Sequence, residues 1–159
     1  MKKTFKFLTC LFVAIFCFGQ MWGTDYTLAA STFNGDKNSA TVNGQTFTLN
    51  PAHGGTGQTG YGDYIKFSKS KTYTITLPDG FVLTNVNVKG YTNASATNGE
   101  ITEVNGTSQS SKTFPAKDDA SLATATQITT GYNFAISQTG GTVTIKTANT
   151  NQICVLITI

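Results

Sequence analysis

Lys71-Thr-Tyr-Thr-Ile-Thr-Leu-Pro-Asp-Gly-Phe-Val-Leu-Thr-Asn-Val-Asn-Val88 decides the fold class. Tyr73, Ile75 and Leu77 fall on one face of an extended chain, and Thr72, Thr74 and Thr76 on the other. Beyond Pro-Asp-Gly80, Val82, Thr84, Val86 and Val88 share a face, opposite Leu83, Asn85 and Asn87. A period of two marks strands with one face buried and one wet, the pattern of antiparallel sheets. Thr142–Thr147 and Val155–Ile159 repeat it, and no apolar i, i+3, i+4 pattern lasts three turns anywhere. Threonine occurs 29 times; a β-branched side chain with a hydroxyl suits the solvated face of a pleated sheet.

The punctuation agrees with that reading. Asn34-Gly35, Asn43-Gly44, Asn98-Gly99 and Asn105-Gly106 supply the positive φ angles that two-residue hairpins require, and Asp79-Gly80 is a close relative. Asn43-Gly44, between Ala40–Val42 and Gln45–Leu49, is the strongest hairpin signal, and Thr139-Gly-Gly141 is expected to join 132–138 to 142–147 in the same way. Nine to eleven short strands are expected, near 25–30, 39–43, 45–49, 63–68, 71–77, 81–90, 100–105, 121–130, 132–138, 142–147 and 152–159. The nearest approach to a helix, Asp118–Gln127, supports one turn at most. Many short strands with frequent turns predict an all-β antiparallel sandwich of jelly-roll type, a single domain over residues 24–159. The apolar last strand is expected at the centre of a sheet. An outer-membrane barrel fits poorly: its strands need about nine residues or more, and the chain ends in Ile159 where such barrels carry an aromatic residue.

The chain of 159 residues has a net charge of +3, all of its basic residues lysine. Lys2, Lys3 and Lys6 precede an apolar run of twelve residues, Phe7–Phe18, too short for a membrane helix of about 20 residues. Residues 1–23 therefore read as a secretory signal peptide cleaved after Gly19 or Gly23, which predicts a secreted, periplasmic or cell-surface protein with no integral membrane span. Beyond residue 20, eight lysines balance eight acids. A neutral domain without clustered cations disfavours nucleic acid. Lys66, Lys69 and Lys71 read instead as guards of a sheet edge. Cys10 and Cys17 leave with the leader; Cys154, in Ile153-Cys-Val-Leu-Ile157, reads as a buried apolar residue that can form no internal disulfide.

Chemistry-bearing motifs are few. Gly55-Thr-Gly57-Gln-Thr-Gly60 has the spacing of a dinucleotide loop, but Asp63–Phe67 after it reads as a strand, and the cofactor site needs a helix there. A glycine-rich hairpin loop is expected instead. His53 is the sole histidine, so no zinc set exists. With Asp63 and a serine it could build a hydrolase, but no Gly-x-Ser-x-Gly elbow is present, and a solvated loop histidine is expected. Glu100 and Glu103 point to opposite faces of one strand. No cofactor is expected; Asp118-Asp119 offer the one candidate for a structural calcium, against the commoner exposed acidic turn.

What remains is a surface of hydroxyls, amides and tyrosines, the groups that pack on and hydrogen-bond to sugars. The candidate ligand residues are His53, Gln58, Tyr61, Asp63 and Tyr64 by the glycine loop, Tyr91 and Asn93 in the next long segment, and Tyr132 beside Asn133.

Ile75–Asn93, Ile101–Thr107, Gly131–Phe134 and Asn151–Ile159 together resemble the small jelly-roll modules of secreted Bacteroidetes-type proteins, often found beside pectate-lyase-like and other polysaccharide-degrading domains. That resemblance implies a galactose-binding-like topology and a glycan partner. The leading expectation is an exported non-catalytic module for a neutral carbohydrate. A structural or adhesion protein working through contacts with surface proteins comes second, and a secreted hydrolase third. No catalytic residue is assigned.

Overall fold

The computed structural model describes residues 23–57 and 62–159. Eleven strands are found among them: β1 (Thr27–Leu28), β2 (Ser39–Val42), β3 (Gln45–Asn50), β4 (Ile65–Phe67), β5 (Thr72–Thr76), β6 (Val82–Thr92), β7 (Gly99–Val104), β8 (Thr107–Phe114), β9 (Tyr132–Thr139), β10 (Thr142–Thr147) and β11 (Ile153–Thr158). One four-residue helix, α1 (Thr126–Thr129), follows a 3-10 turn at Leu122–Thr124.

Two antiparallel sheets form a β-sandwich. One runs β1-β11-β6-β9, with β4 also paired to β11; the other runs β2-β3-β5-β10-β7-β8. From β4 onward the eight strands stand in the orders β4-β11-β6-β9 and β5-β10-β7-β8. Counted one to eight, these are 1-8-3-6 and 2-7-4-5, the strand order of a jelly roll. The β2–β3 hairpin widens the second sheet, and β1 adds to the first beside β4. The alternation that opened the sequence is the wall of the core. Tyr73 and Ile75 from β5, Val86 and Val88 from β6, and Val143 and Ile145 from β10 are all buried in it.

β11 is central, as its unbroken apolar run predicts. It pairs with β6 on one side and with β4 and β1 on the other. Ile153, Val155 and Ile157 enter the main core, whereas Cys154 faces a second cluster with Tyr64, Tyr91 and Leu122. That second cluster lies on the outer face of the first sheet, under the 122–129 segment and the stretch leading into β4. Two buried hydroxyls lock the sheets and turns. Thr92 Oγ1 donates to Phe114 O (2.9 Å) and accepts the Gly99 N–H (3.2 Å), tying β6 to β8 and β7. Thr147 Oγ1 serves Ser68 and Lys71 in the turn before β5.

Three expectations are corrected. Residues 121–130 are not a strand: they form the 3-10 turn and α1, a crossover from β8 in one sheet to β9 in the other. Leu122 anchors that crossover in the second cluster. β8 is a strand the apolar pattern does not reveal. Gly140-Gly141 does make a tight turn, with φ of 61° and 76°, but no hairpin. β9 pairs with β6, and β10 pairs with β5 and β7, so the turn carries the chain between sheets. Asn43-Gly44 is the hairpin expected, φ 49° and 76°, and Asn105-Gly106 joins β7 to β8 with φ 50° and 77°.

Candidate functional site

Gly54–Gly57 of the glycine-rich stretch pairs with β4. Gly54 N–H donates to Lys66 O (2.8 Å), Lys66 N–H to Gly55 O (2.9 Å) and Gly57 N–H to Tyr64 O (2.7 Å), so 54–57 runs antiparallel beside β4. Lys66 is therefore flanked on both sides, by this stretch and by β11, and guards no edge. Glycine at 57 answers to a close approach. A Cβ there would stand 2.6 Å from the Tyr91 hydroxyl and 3.0 Å from Tyr64 Cβ. No helix follows the motif, so the dinucleotide geometry is absent at Gly55 and Gly57.

Among the described residues, the candidate ligand residues do not converge. Gln58 and Tyr61 lie outside the described residues. Tyr64 and Tyr91 are 4% and 0% exposed and meet edge to face, centroids 5.4 Å apart. Burial pushes the Tyr64 phenol above its ordinary pKa. Their rings fill the second cluster, so neither offers a face for a sugar to stack on. Asp63 accepts the Ser31 N–H with both carboxylate oxygens (2.9 and 3.0 Å) and fastens the loop to the turn after β1. Asn93 is held by Gln152, donating its N–H to the backbone oxygen (2.8 Å). Tyr132, half-exposed, packs on the main core, on the opposite face of the first sheet from Tyr64 and Tyr91.

His53 is buried, not a solvated loop residue. Its ring stands edge-on to Phe33 at 4.8 Å, and Nδ1 lies 2.9 Å from Gly55 O and 3.2 Å from Gly55 N. One tautomer donates to that carbonyl and the other accepts that N–H; in both, buried Nε2 has no partner. Burial lowers its pKa, the Gly55 bond opposes the shift and Lys37 adds to it. Asp119 accepts the Ser121 N–H and hydroxyl, which hold its carboxyl below the usual range, and Asp118 accepts the Ser95 hydroxyl. No group of three or more metal-ligating side chains occurs among the described residues.

Two cavities stand out. One of about 480 Å³ lies between Gly23–Tyr26, Gly80–Asn85 and Thr158–Ile159, and its open surface is mainly apolar. The other, about 390 Å³, is a groove along the open flank of the sandwich, between the edge strands β8 and β9. Thr107, Gln109 and Lys112 line it from β8, and Asn133–Ser137 from β9. Val104 and Phe134 close it underneath but are themselves buried in the core, so the open surface is mainly polar. Each end is latched across the two sheets: the Tyr132 hydroxyl donates to Thr113 O (2.6 Å), and Asn105 Nδ2 donates to Gln138 Oε1 (3.0 Å). Its volume is within the usual range for small-molecule sites, about 300–1,000 Å³.

Of the six residues named from the sequence that are described, only Tyr132 reaches this groove, as the latch at one end next to Asn133. Gln109 and Lys112 are missed because β8 is missed. The signal that could have found them is Asn105-Gly106, a hairpin turn that demands a second strand after it. Among the described residues no helix is long and apolar enough to cross a membrane. The fold and groove define a jelly-roll β-sandwich with a lateral polar cleft. No protein-family model matches the chain, and no curated protein matches it.

Proposed function

We propose that this protein is an exported, non-catalytic carbohydrate-binding module whose ligand lies in the β8–β9 groove. The observation that carries the reading is the groove's make-up. Its open surface is almost wholly polar, lined by Asn105, Thr107, Gln109 and Lys112 and by the Asn133–Ser137 stretch, with a half-exposed tyrosine at one end. Sugars present rims of hydroxyls, which amides and hydroxyls bond well. The lysine-led apolar leader supports export, and the resemblance to modules that accompany polysaccharide-degrading domains supports a glycan partner. Tyr64 and Tyr91 are buried and offer no face to a ligand. His53, the general base a hydrolase would have used, has its ring against Phe33 and Nδ1 on Gly55, so binding is favoured over turnover.

A specific observation also favours the adhesion reading: among the described residues, β8 and β9 each end a sheet and leave one side without a strand partner. Edge strands of this kind accept an extended segment of another protein. A panel of neutral and acidic oligosaccharides, followed by amide NMR shifts, separates the two. Binding that shifts Gln109 and Asn133 supports the glycan site. A panel with no ligand above millimolar affinity, together with a stable oligomer, would sink it in favour of adhesion.

A further inference from the structure

Within the groove, one side chain is out of keeping with the rest. Lys112 is the sole charged residue in a lining of amides, hydroxyls and apolar groups, and no aspartate or glutamate is among them. It lies on an edge strand, yet it faces inward, two residues before the core residue Phe114 and opposite Ile101. Strand pairing alone would not bring it there. Between Glu103↔Ser108 and Ile101↔Lys112, β8 uses five residues where β7 uses three, a bulge that carries two extra residues. Without them Ser110 would stand opposite Ile101. A slip of two keeps the face, so its effect is to put Lys112, in place of Ser110, at the level of Ile101.

Lys112 is a half-buried residue, and its ammonium lies 5.2 Å from the centroid of the Tyr132 ring. Among the described residues the one ion pair is Lys146–Glu103, on the outer face of the second sheet. Lys112 therefore meets an aromatic face but no counter-charge. A half-buried cation in a polar cleft is completed by an anion arriving with the ligand.

Building on the reading of the groove as a glycan site, we infer that its ligand is an acidic saccharide, with a uronate carboxylate seated at Lys112. One ammonium balances one carboxylate. Polysulfated chains call for clustered arginine and lysine, which the groove lacks. The Gln109 amide takes the hydroxyls, and the Tyr132 ring fixes the lysine that receives the acid. This replaces the neutral partner suggested by overall charge: eight lysines cancel eight acids in sum, but the groove is locally positive.

The test is calorimetric titration of the whole exported domain with an oligouronide and with the same oligouronide as its methyl ester, which removes the charge and keeps the hydroxyls. The free acid is expected to bind at least about tenfold more tightly, a preference that shrinks as salt rises. Lys112→Gln should bring the two forms within about twofold of each other, and Lys112→Arg should keep the preference for the acid. Thermal melts of both variants establish that they fold. Ester and acid bound equally well would overturn the carboxylate assignment and leave the glycan site standing. No binding of either form, or of neutral oligosaccharides, would overturn both. A folded Lys112→Gln protein that self-associates yet still prefers the acid would assign Lys112 to edge protection and overturn the inference too.

Discussion

At the scale of single residues, what the sequence conveys is kind, and what it withholds is burial. Cys154 reads correctly because its neighbours are all aliphatic; it is fully buried, and burial raises its pKa, with the Tyr91 hydrogen bond and Lys66 opposing. Tyr64, Tyr91 and His53 read wrongly because each sits among glycines or polar residues in the chain. Their packing partners come from 27 or more positions away, as Tyr64 on Tyr91, or from a preceding turn, as Phe33 on His53. His53 also has a measurable consequence. The unfolded chain protonates it near 6.5 and the folded chain only at lower pH, so the unfolded state binds more protons as pH falls. Its contribution is complete above 6.5 and is lost below. The urea midpoint is expected to drop between about pH 7 and about pH 5, and His53→Leu to flatten that drop. A variant with the slope of the parent would remove His53 as the cause.

Among the elements, those with one buried face and one wet face are legible, and those that depart from that pattern are not. β5, β6, β10 and β11 alternate or run apolar, and all four lie within the sheets. β8 is a run of threonine, serine, glutamine and lysine that becomes a strand because β7 offers it a hydrogen-bonding edge through the Asn105-Gly106 turn. Long-range pairing overrides the weak local pattern there. The 121–130 segment fails in the opposite sense: its threonines suggest a strand, but Leu122, buried in the second cluster, pins it as a helical crossover packed over β6. Element position also sets energetic weight. Ile157, fully buried in central β11, is paired with Val88 and Leu28, so Ile157→Ala should cost about 2–5 kcal/mol in denaturant unfolding. A loss under about 1 kcal/mol would show that β11 is not the keystone its pairing implies.

On the scale of the molecule, the sandwich is written in the sequence but its open flank is not. Strand order follows from which edge each strand meets, and no local signal in Thr139-Gly-Gly141 says that the chain changes sheet there. The same topology brings the two ends together. Tyr26 and Ile159 exchange hydrogen bonds of 2.8 and 2.9 Å, and Thr27 pairs with Thr158. A load applied through Tyr26 and Ile159 would pull these bonds apart one pair at a time, as a zipper opens, and would not shear a whole strand against its neighbour. Stretched between two anchors, the domain should begin to give at low force by peeling away β1, while β11 stays clasped by β6 and β4. Single-molecule pulling from the two ends checks this: an early, small extension before the main rupture is expected, and one abrupt rupture of the whole fold would contradict it. A surface tether built on this domain would thus lengthen before it breaks.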